Sequence, residues 1–227
     1  MTFGEGGRAA RYVAIITDGN GRWAQQHGLP VIEGHQAGAD VVKARLRDAV
    51  EFGLREMTVY SFSTENWSRP AEEVTALMRM FSQRIASETP ELNDEGVRMR
   101  FIGRRERVTA ALLEQMDWAE AETAANDRIT LYVAFNYGGR AEVLDAAARY
   151  SGGGEEAFRR LLYAPEMHDP DLIIRTSGEQ RMSNYLIWQS AYSELVFADE
   201  LWPDFSRDAF RGALDEFERR RRRFGGR

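Results

Sequence analysis

Tyr12-Val13-Ala14-Ile15-Ile16-Thr17-Asp18-Gly19-Asn20-Gly21 is the stretch on which the fold turns. Five apolar or aromatic residues run together without polar alternation, which describes a strand buried on both faces. The Asp-Gly-Asn-Gly after it is a turn signal. A doubly buried strand belongs to a parallel sheet covered by helices, and the following sequence supplies them. Residues 38–52 place Val41, Val42, Leu46, Ala49 and Val50 on one helical face and stop at Gly53. Met57-Thr58-Val59-Tyr60-Ser61-Phe62 is the next strand. Pro70 opens a long helix with Glu72 and Glu73 in its first turn, where a fixed φ and negative charge are both favourable, and Ser68 is the expected N-cap. That helix carries an apolar stripe of Val74, Leu77, Met78, Phe81 and Ile85.

Further strands are predicted over 97–102, 129–135, 171–174 and 195–197. Helices are predicted over 108–125, with Trp118 in the core, over 140–150 and 155–162, and from a Ser206 cap to the arginine tail. Ser151-Gly152-Gly153-Gly154 is too short to separate domains. The expectation is a single α/β domain over residues 11–227, with a mostly parallel central β-sheet flanked by helices, after a glycine-rich N-terminus (1–10) expected to be disordered.

Composition narrows the chemistry. The 227 residues contain no cysteine, which excludes disulfides, Cys-based zinc, iron–sulfur clusters and a thiolate nucleophile. Thirty Lys and Arg against 36 Asp and Glu leave a formal charge of −6, the wrong sign for a general nucleic-acid coat. No run of about 18 apolar residues occurs and the N-terminus has no apolar signal core, so a cytoplasmic protein without a transmembrane segment is expected. Lys43 is the sole lysine. Arginine forks phosphate and carboxylate in a bidentate way that lysine cannot, but in so arginine-rich a chain only an Arg inside a motif is informative.

Three motifs stand at strand ends, where open parallel sheets bind ligands. Asp18-Gly19-Asn20-Gly21-Arg22-Trp23 combines a carboxylate suited to Mg2+, glycines that admit an anion to the backbone, and an arginine; the same residues would also make a plain Asn-Gly turn. Ser63-Thr64-Glu65-Asn66-Trp67-Ser68-Arg69-Pro70 begins a helix, but capping leaves Asn66, Trp67 and Arg69 unexplained; an exposed Trp beside an Arg suits a lid over an anionic or apolar ligand. Arg175-Thr176-Ser177-Gly178-Glu179-Gln180-Arg181-Met182-Ser183-Asn184 could fork a second anion through Arg175 and Arg181, or be a surface loop in an arginine-rich protein.

Taken in order with Gly34-His35-Gln36-Ala37-Gly38, Tyr185-Leu186-Ile187-Trp188-Gln189, Tyr192-Ser193-Glu194-Leu195 and Leu201-Trp202-Pro203-Asp204-Phe205, these motifs closely resemble the cis-prenyltransferase family over nearly the whole chain. The resemblance implies that family's fold, and Mg2+-dependent condensation of isopentenyl diphosphate onto an allylic diphosphate (farnesyl, geranyl or dimethylallyl). The product would be a Z-polyprenyl diphosphate of the lipid-carrier type, with a short-chain product or a non-catalytic partner subunit as alternatives. It assigns the metal and loss of the allylic diphosphate to Asp18, and proton removal to Asn66. Gly19, Asn20, Gly21, Arg22, Trp23 and His35 would cradle the allylic diphosphate. Ser63, Thr64, Glu65, Trp67 and Arg69 would form a mobile loop. Arg175, Arg181, Met182 and Ser183 would hold isopentenyl diphosphate, with Glu194 as second Mg2+ ligand. Leu77, Met78 and Phe81 would line a product tunnel. Arg223-Phe224-Gly225 resembles the family's C-terminal element that reaches a neighbouring subunit, implying a homodimer; product release would involve transient membrane contact.

The chain departs from the family at Thr17, usually Met, and at Val31, commonly an Arg that helps hold the allylic diphosphate. Small residues at Ser61 and Ala134 are expected to leave the tunnel unplugged.

Overall fold

A computed structural model describes residues 9–220. The elements are β1 (Tyr12–Ile16), α1 (Asn20–Gln26), α2 (Val31–Glu51), β2 (Glu56–Ser63), α3 (Ala71–Asp94), β3 (Val97–Ile102), α4 (Ala110–Glu122), β4 (Ile129–Tyr137), α5 (Gly139–Ala147), α6 (Gly154–Arg159), β5 (Leu172–Arg175), β6 (Glu194–Phe197) and α7 (Arg207–Arg219), with 3-10 turns at Thr64–Ser68 and Trp202–Asp204. The six strands form one all-parallel sheet in the order β3-β4-β2-β1-β5-β6. The chain leaves β1 for β2 on one side and later returns to β5 on the other. The carboxyl ends of β1 and β5 therefore flank the switch point of the sheet, where a crevice is open to ligand.

β1 is buried throughout, as its composition requires. Alternate residues serve two different cores. Val13 and Ile15 pack with Met57, Val59, Leu131 and Ile174 in the larger apolar core, to which α2, α3, α4 and α7 contribute Leu46, Leu77, Leu112 and Phe210. Tyr12, Ala14 and Ile16 face a smaller core rich in tyrosine: Tyr132, Tyr137 and Tyr185, with Met167 and Leu186. Two register shifts sit at the end of β2–β4. Tyr60 opposes Ala134 but Phe62 opposes Phe135, and then Ser63 opposes Tyr137. Ser61 is thus extra on β2 and Asn136 on β4. Such bulges re-aim side chains near functional sites. The first turns Phe62 into the larger core, edge-on to Trp67; the second leaves Asn136 with φ 50°.

Several expectations are corrected. α1 forms directly on the glycine turn, and α2 begins at Val31, seven residues before the predicted start. Ser68 does not cap α3; Pro70 occupies that position, and the Ser68 hydroxyl donates to Glu65 O at 2.7 Å. Trp118 is exposed on α4 instead of lying in the core. Ala134 is buried on the tyrosine-rich face, away from the predicted tunnel side. Ser206 does cap α7, accepting from Ala209 N at 3.1 Å. The expected N-terminal disorder falls mainly on residues 1–8 and the Arg223-Phe224-Gly225 element on 221–227, both outside the described residues; Ala10 is buried in the larger core.

Candidate active site

The exits of β1 and β5 are locked together. The Thr176 hydroxyl donates to Asp18 O at 2.6 Å and accepts from Asp18 N at 3.0 Å. Trp202 N donates to the same carbonyl at 3.0 Å. This fixes the Asp18 side chain at the mouth of the crevice. Its Oδ2 accepts from Arg175 Nη2 at 2.7 Å and its Oδ1 from Arg22 Nη2 at 3.4 Å. Partial burial pushes the Asp18 pKa up, but the hydrogen bond and charge of Arg175, with Arg22 and Ser177, outweigh it and hold the carboxyl below its usual range. Asp18 is therefore a carboxylate at neutral pH.

Arg175 is buried. Its Nη1 donates to Arg181 O at 2.5 Å and Ser183 Oγ at 2.6 Å, while its Nε has no partner. Arg22 reaches across to the Ser177 hydroxyl at 2.5 Å. The loop that provides these partners is locally strained: Ser177, Ser183, Asn184 and Leu186 all have φ between 43° and 76°. Arg181, predicted as an anion fork, instead turns its guanidinium to Glu179 at the surface. Met182 packs against the tyrosine-rich core.

Close helix packing explains the Gly34-His35-x-x-Gly38 pattern. A Cβ on Gly34 would lie 2.1 Å from Asn20 O, and one on Gly38 2.3 Å from Asn20 Oδ1. Only glycine lets α1 lie so near α2. His35, between them, stands 3.5 Å from both Asn20 Nδ2 and Arg69 Nη1. Burial, and then the charge of Arg69, lower its pKa to about 4, so the ring is neutral at pH 7. Gly19 caps α1 with φ 115°, where a Cβ would strike Leu201 at 3.0 Å. Trp23 points away from the crevice, donating to Asp204 at 2.9 Å and stacking on His27.

The turn after β2 is held at both ends. Ser63 and Asn66 form a reciprocal capping box in which Ser63 N donates to Asn66 Oδ1 at 3.0 Å. Thr64 lies under Gly138, whose added Cβ would sit 2.6 Å from the Thr64 hydroxyl. Trp67 is not the exposed residue expected: its Nε1 donates to Asn136 Oδ1 at 2.7 Å, and Arg107 lies over its ring at 4.4 Å. Asn136 is absent from the predicted set, although Asn136-Tyr137-Gly138-Gly139 follows an apolar strand as the three chosen motifs do.

Two cavities meet here. A polar one of about 350 Å3 is lined by residues 17–22, Val31, His35, Asn66 and Arg69. A narrow apolar one of about 100 Å3 runs between α2, α3 and the sheet, past Ser61, Phe81, Ile85, Met99 and Leu131. Thr17, Asn20, His35 and Ser61 line both. Of the predicted tunnel residues, Phe81 lines the apolar cavity and Leu77 the polar one. Glu194 is placed elsewhere. It pairs in register with Leu172, and Leu172 with Val13, at the opposite end of the strands from Asp18. Strand rise and spacing separate the two backbones by roughly 19 Å. Glu194 instead accepts from Arg220 at 3.0 Å. Asp18 and Glu194 thus do not form one metal site within a chain, and no group of three or more His, Asp or Glu suited to a metal occurs among the described residues.

Known proteins share this chain's sequence and fold over nearly its whole length. An isoprenyl transferase of Thermotoga maritima is 50% identical over 228 residues, covering 96% of this chain and 98% of its own. One of Aquifex aeolicus is 45% identical, covering 94% and 95%. The crystal structure of lavandulyl diphosphate synthase from Lavandula x intermedia in complex with dimethylallyl diphosphate superposes with a TM-score of 0.91 at 32% identity, covering 96% of this chain and 98% of that one. A probable undecaprenyl diphosphate synthase from Campylobacter jejuni gives 0.83 at 26% identity, covering 96% and 99%. Residues 16–225 match the family described as putative undecaprenyl diphosphate synthase; the chain belongs to this prenyltransferase family and is an enzyme that transfers prenyl groups.

Proposed function

We propose that the protein condenses isopentenyl diphosphate onto an allylic diphosphate, with Mg2+, to give a Z-prenyl diphosphate. The observation that carries this reading is the junction at Thr17, where a polar cavity walled by Asp18, Arg22 and Arg69 opens into an apolar one. An amphiphile with a charged head and a hydrocarbon tail fits such a junction. A relative crystallised with dimethylallyl diphosphate supports an allylic substrate.

Asp18 fits Mg2+ as a single ionised carboxylate beside an anion-sized space, since Mg2+ is commonly held by one or two carboxylates with substrate oxygens. When bound, the ion neutralises charge on a departing diphosphate. This chain's residues do the rest. Arg22, Gly19, Asn20 and Gly21 offer a guanidinium and first-turn N–H groups to the head group, and neutral His35 and Arg69 close its side. Arg175 and Ser183 offer a second anion site next to the first. Val31 leaves one wall of the polar cavity without the cation common in the family. Asn66 faces both sites, and its Oδ1 would take the proton only after leaving Ser63 N. Apolar walls beyond Thr17 keep water from a cationic carbon.

The apolar cavity, lengthwise between α2 and α3, supports a polyprenyl product. Its small free volume, against the several hundred Å3 of most ligand sites, favours a short-chain product as the second reading. No described helix is long and apolar enough to cross a membrane; a cytoplasmic location with transient membrane contact on product release belongs to the same reading. A homodimer does too, supported by the exposed apolar Leu144 and Ile187 on and beside α5. Incubation with Mg2+, labelled isopentenyl diphosphate and each of dimethylallyl, geranyl and farnesyl diphosphate tests the function, with chain length read by mass spectrometry. Failure to elongate any primer overturns it.

A further inference from the structure

Asn184 stands where three loops meet. Its carbonyl accepts from Gly139 N at 2.7 Å, its Oδ1 accepts from Arg140 N at 2.8 Å, and its Nδ2 donates to Glu65 Oε1 at 2.8 Å. On one side it follows Ser183, whose hydroxyl accepts from the buried Arg175. On the other, Glu65 lies in the turn Thr64–Ser68, next to Asn66. The junction has little slack. Ser183 and Asn184 have φ of 45° and 63°, and a Cβ on Gly138 would lie 2.9 Å from Asn184 Nδ2. Burial raises the Glu65 pKa, but the Asn184 N–H and neighbouring donors reverse this, so the carboxyl is ionised and its bond to Asn184 charge-assisted.

We propose that Asn184 is a positioning residue that couples the loop after β5 to the turn carrying Asn66, acting through Glu65. An anion that engages Arg175 and Ser183 competes for the hydroxyl that Arg175 now holds. With both residues confined to left-handed backbone, a shift at Ser183 passes to the Asn184 amide, and from there to Glu65. The kinetic consequence rests on the prenyl-transfer reading above; the mechanical coupling does not.

The test is a swap of donor and acceptor. Asn184→Asp keeps the shape, tolerates the left-handed φ and retains the acceptor for Arg140 N, but sets an oxygen against the Glu65 carboxylate. Adding Glu65→Gln returns a donor on the other side. Amide hydrogen exchange over residues 63–69 is measured with and without inorganic diphosphate, which requires no turnover. It is measured in Arg22→Gln/Arg69→Gln protein, so that the anion acts at Arg175 and Ser183 and not on the polar cavity that Asn66 and Arg69 themselves line. This protein, with Asn184 and Glu65 intact, is the unmodified reference for the exchange. Diphosphate should change exchange there in the unmodified protein. It should fail to do so in Asn184→Asp and do so again in the double variant. In steady state, Asn184→Asp should lower kcat by about tenfold, with KM for isopentenyl diphosphate within about threefold, and the double variant should recover most of that loss. A diphosphate response that persists in Asn184→Asp, or is absent from the unmodified protein, overturns the coupling, as does a double variant no better than the single one. If the aspartate variant does not fold, Asn184→Gly suits the φ and removes the amide, and a retained exchange response in it is equally decisive. Absence of prenyl transfer by the unmodified protein would count against the function alone, because the exchange readout stands without it.

Discussion

Asp18 and Arg175 depend on each other. Arg175 is buried, and without the carboxylate its charge faces only neutral oxygens, at a cost of about 1–3 kcal/mol. Asp18→Asn should therefore lower Tm and, if Asp18 holds the Mg2+ of the proposed reaction, cut kcat by roughly a hundredfold or more, because the ion that would neutralise the leaving group loses its carboxylate. The pH sign is defined: with a folded-state pKa below the unfolded value of about 3.9, the pair's stabilisation is complete above that pH and disappears as pH falls through the lower value. Thermal melts from pH 5 to 2.5 should show a shallower acid limb in the Asp18→Asn variant. His35 acts over a different window. The unfolded ring takes a proton near pH 6.5 and the folded one only near pH 4, so stability falls between those values as pH drops, by at most about 3 kcal/mol. His35→Gln should flatten that interval in urea titrations, and an unchanged slope would count against the buried neutral ring. At this scale the sequence was readable where a motif is contiguous, as at Asp18 to Arg22. It was silent on Glu65 with Asn184 and Trp67 with Asn136, whose partners lie 119 and 69 residues apart and meet only through the sheet.

At the scale of elements, the seven-residue α1 has no strong packing stripe of its own, and its Gly-Asn-Gly start reads equally well as a turn. It persists because Gly34 and Gly38 let it sink onto α2. Alanine normally stabilises a helix by about 1 kcal/mol over glycine. Here the sign should reverse: Gly38→Ala places a methyl against Asn20 Oδ1 and Trp202 Cδ1, at 2.3 and 2.9 Å, for a net loss of about 1–3 kcal/mol. The same shift should weaken inorganic diphosphate binding severalfold by calorimetry, since Asn20 and Gly21 move with α1. A more stable variant with unchanged affinity would show that the close approach is not needed. The strands were legible because burial on both faces leaves an uninterrupted apolar run in β1. The bulges at Ser61 and Asn136 were not, because register is a property of paired strands, and neither strand alone records an extra residue.

For the molecule as a whole, the apolar cavity and the seam beside it bear on the product. α2 and α3 run side by side, bridged by Arg84 to Asp40 at 2.5 Å, Lys43 to Glu91 at 2.9 Å and Arg47 to both Glu91 and Glu95 at 2.6 Å. Arg84, Lys43 and Glu88 also line the cavity, so its side wall carries charge within a mostly apolar lining. A product chain growing into this cavity would either stay within it or part the two helices. Exposed bridges of this kind contribute at most about 1 kcal/mol each, so the seam can yield to a chain that buries several methylene groups at about 0.8 kcal/mol apiece. Ser61, the extra residue of the β2 bulge, lies at the neck where both cavities meet. Ser61→Leu adds bulk there without touching Asp18 or Arg175. If the apolar cavity receives the product, the variant should shorten the longest product by at least one isoprene unit while the first condensation continues. If products instead leave by another route, the distribution stays the same and the substitution registers only as overpacking, about 1–3 kcal/mol in a melt. Mass spectrometry of products made under matched primer concentrations separates the two outcomes.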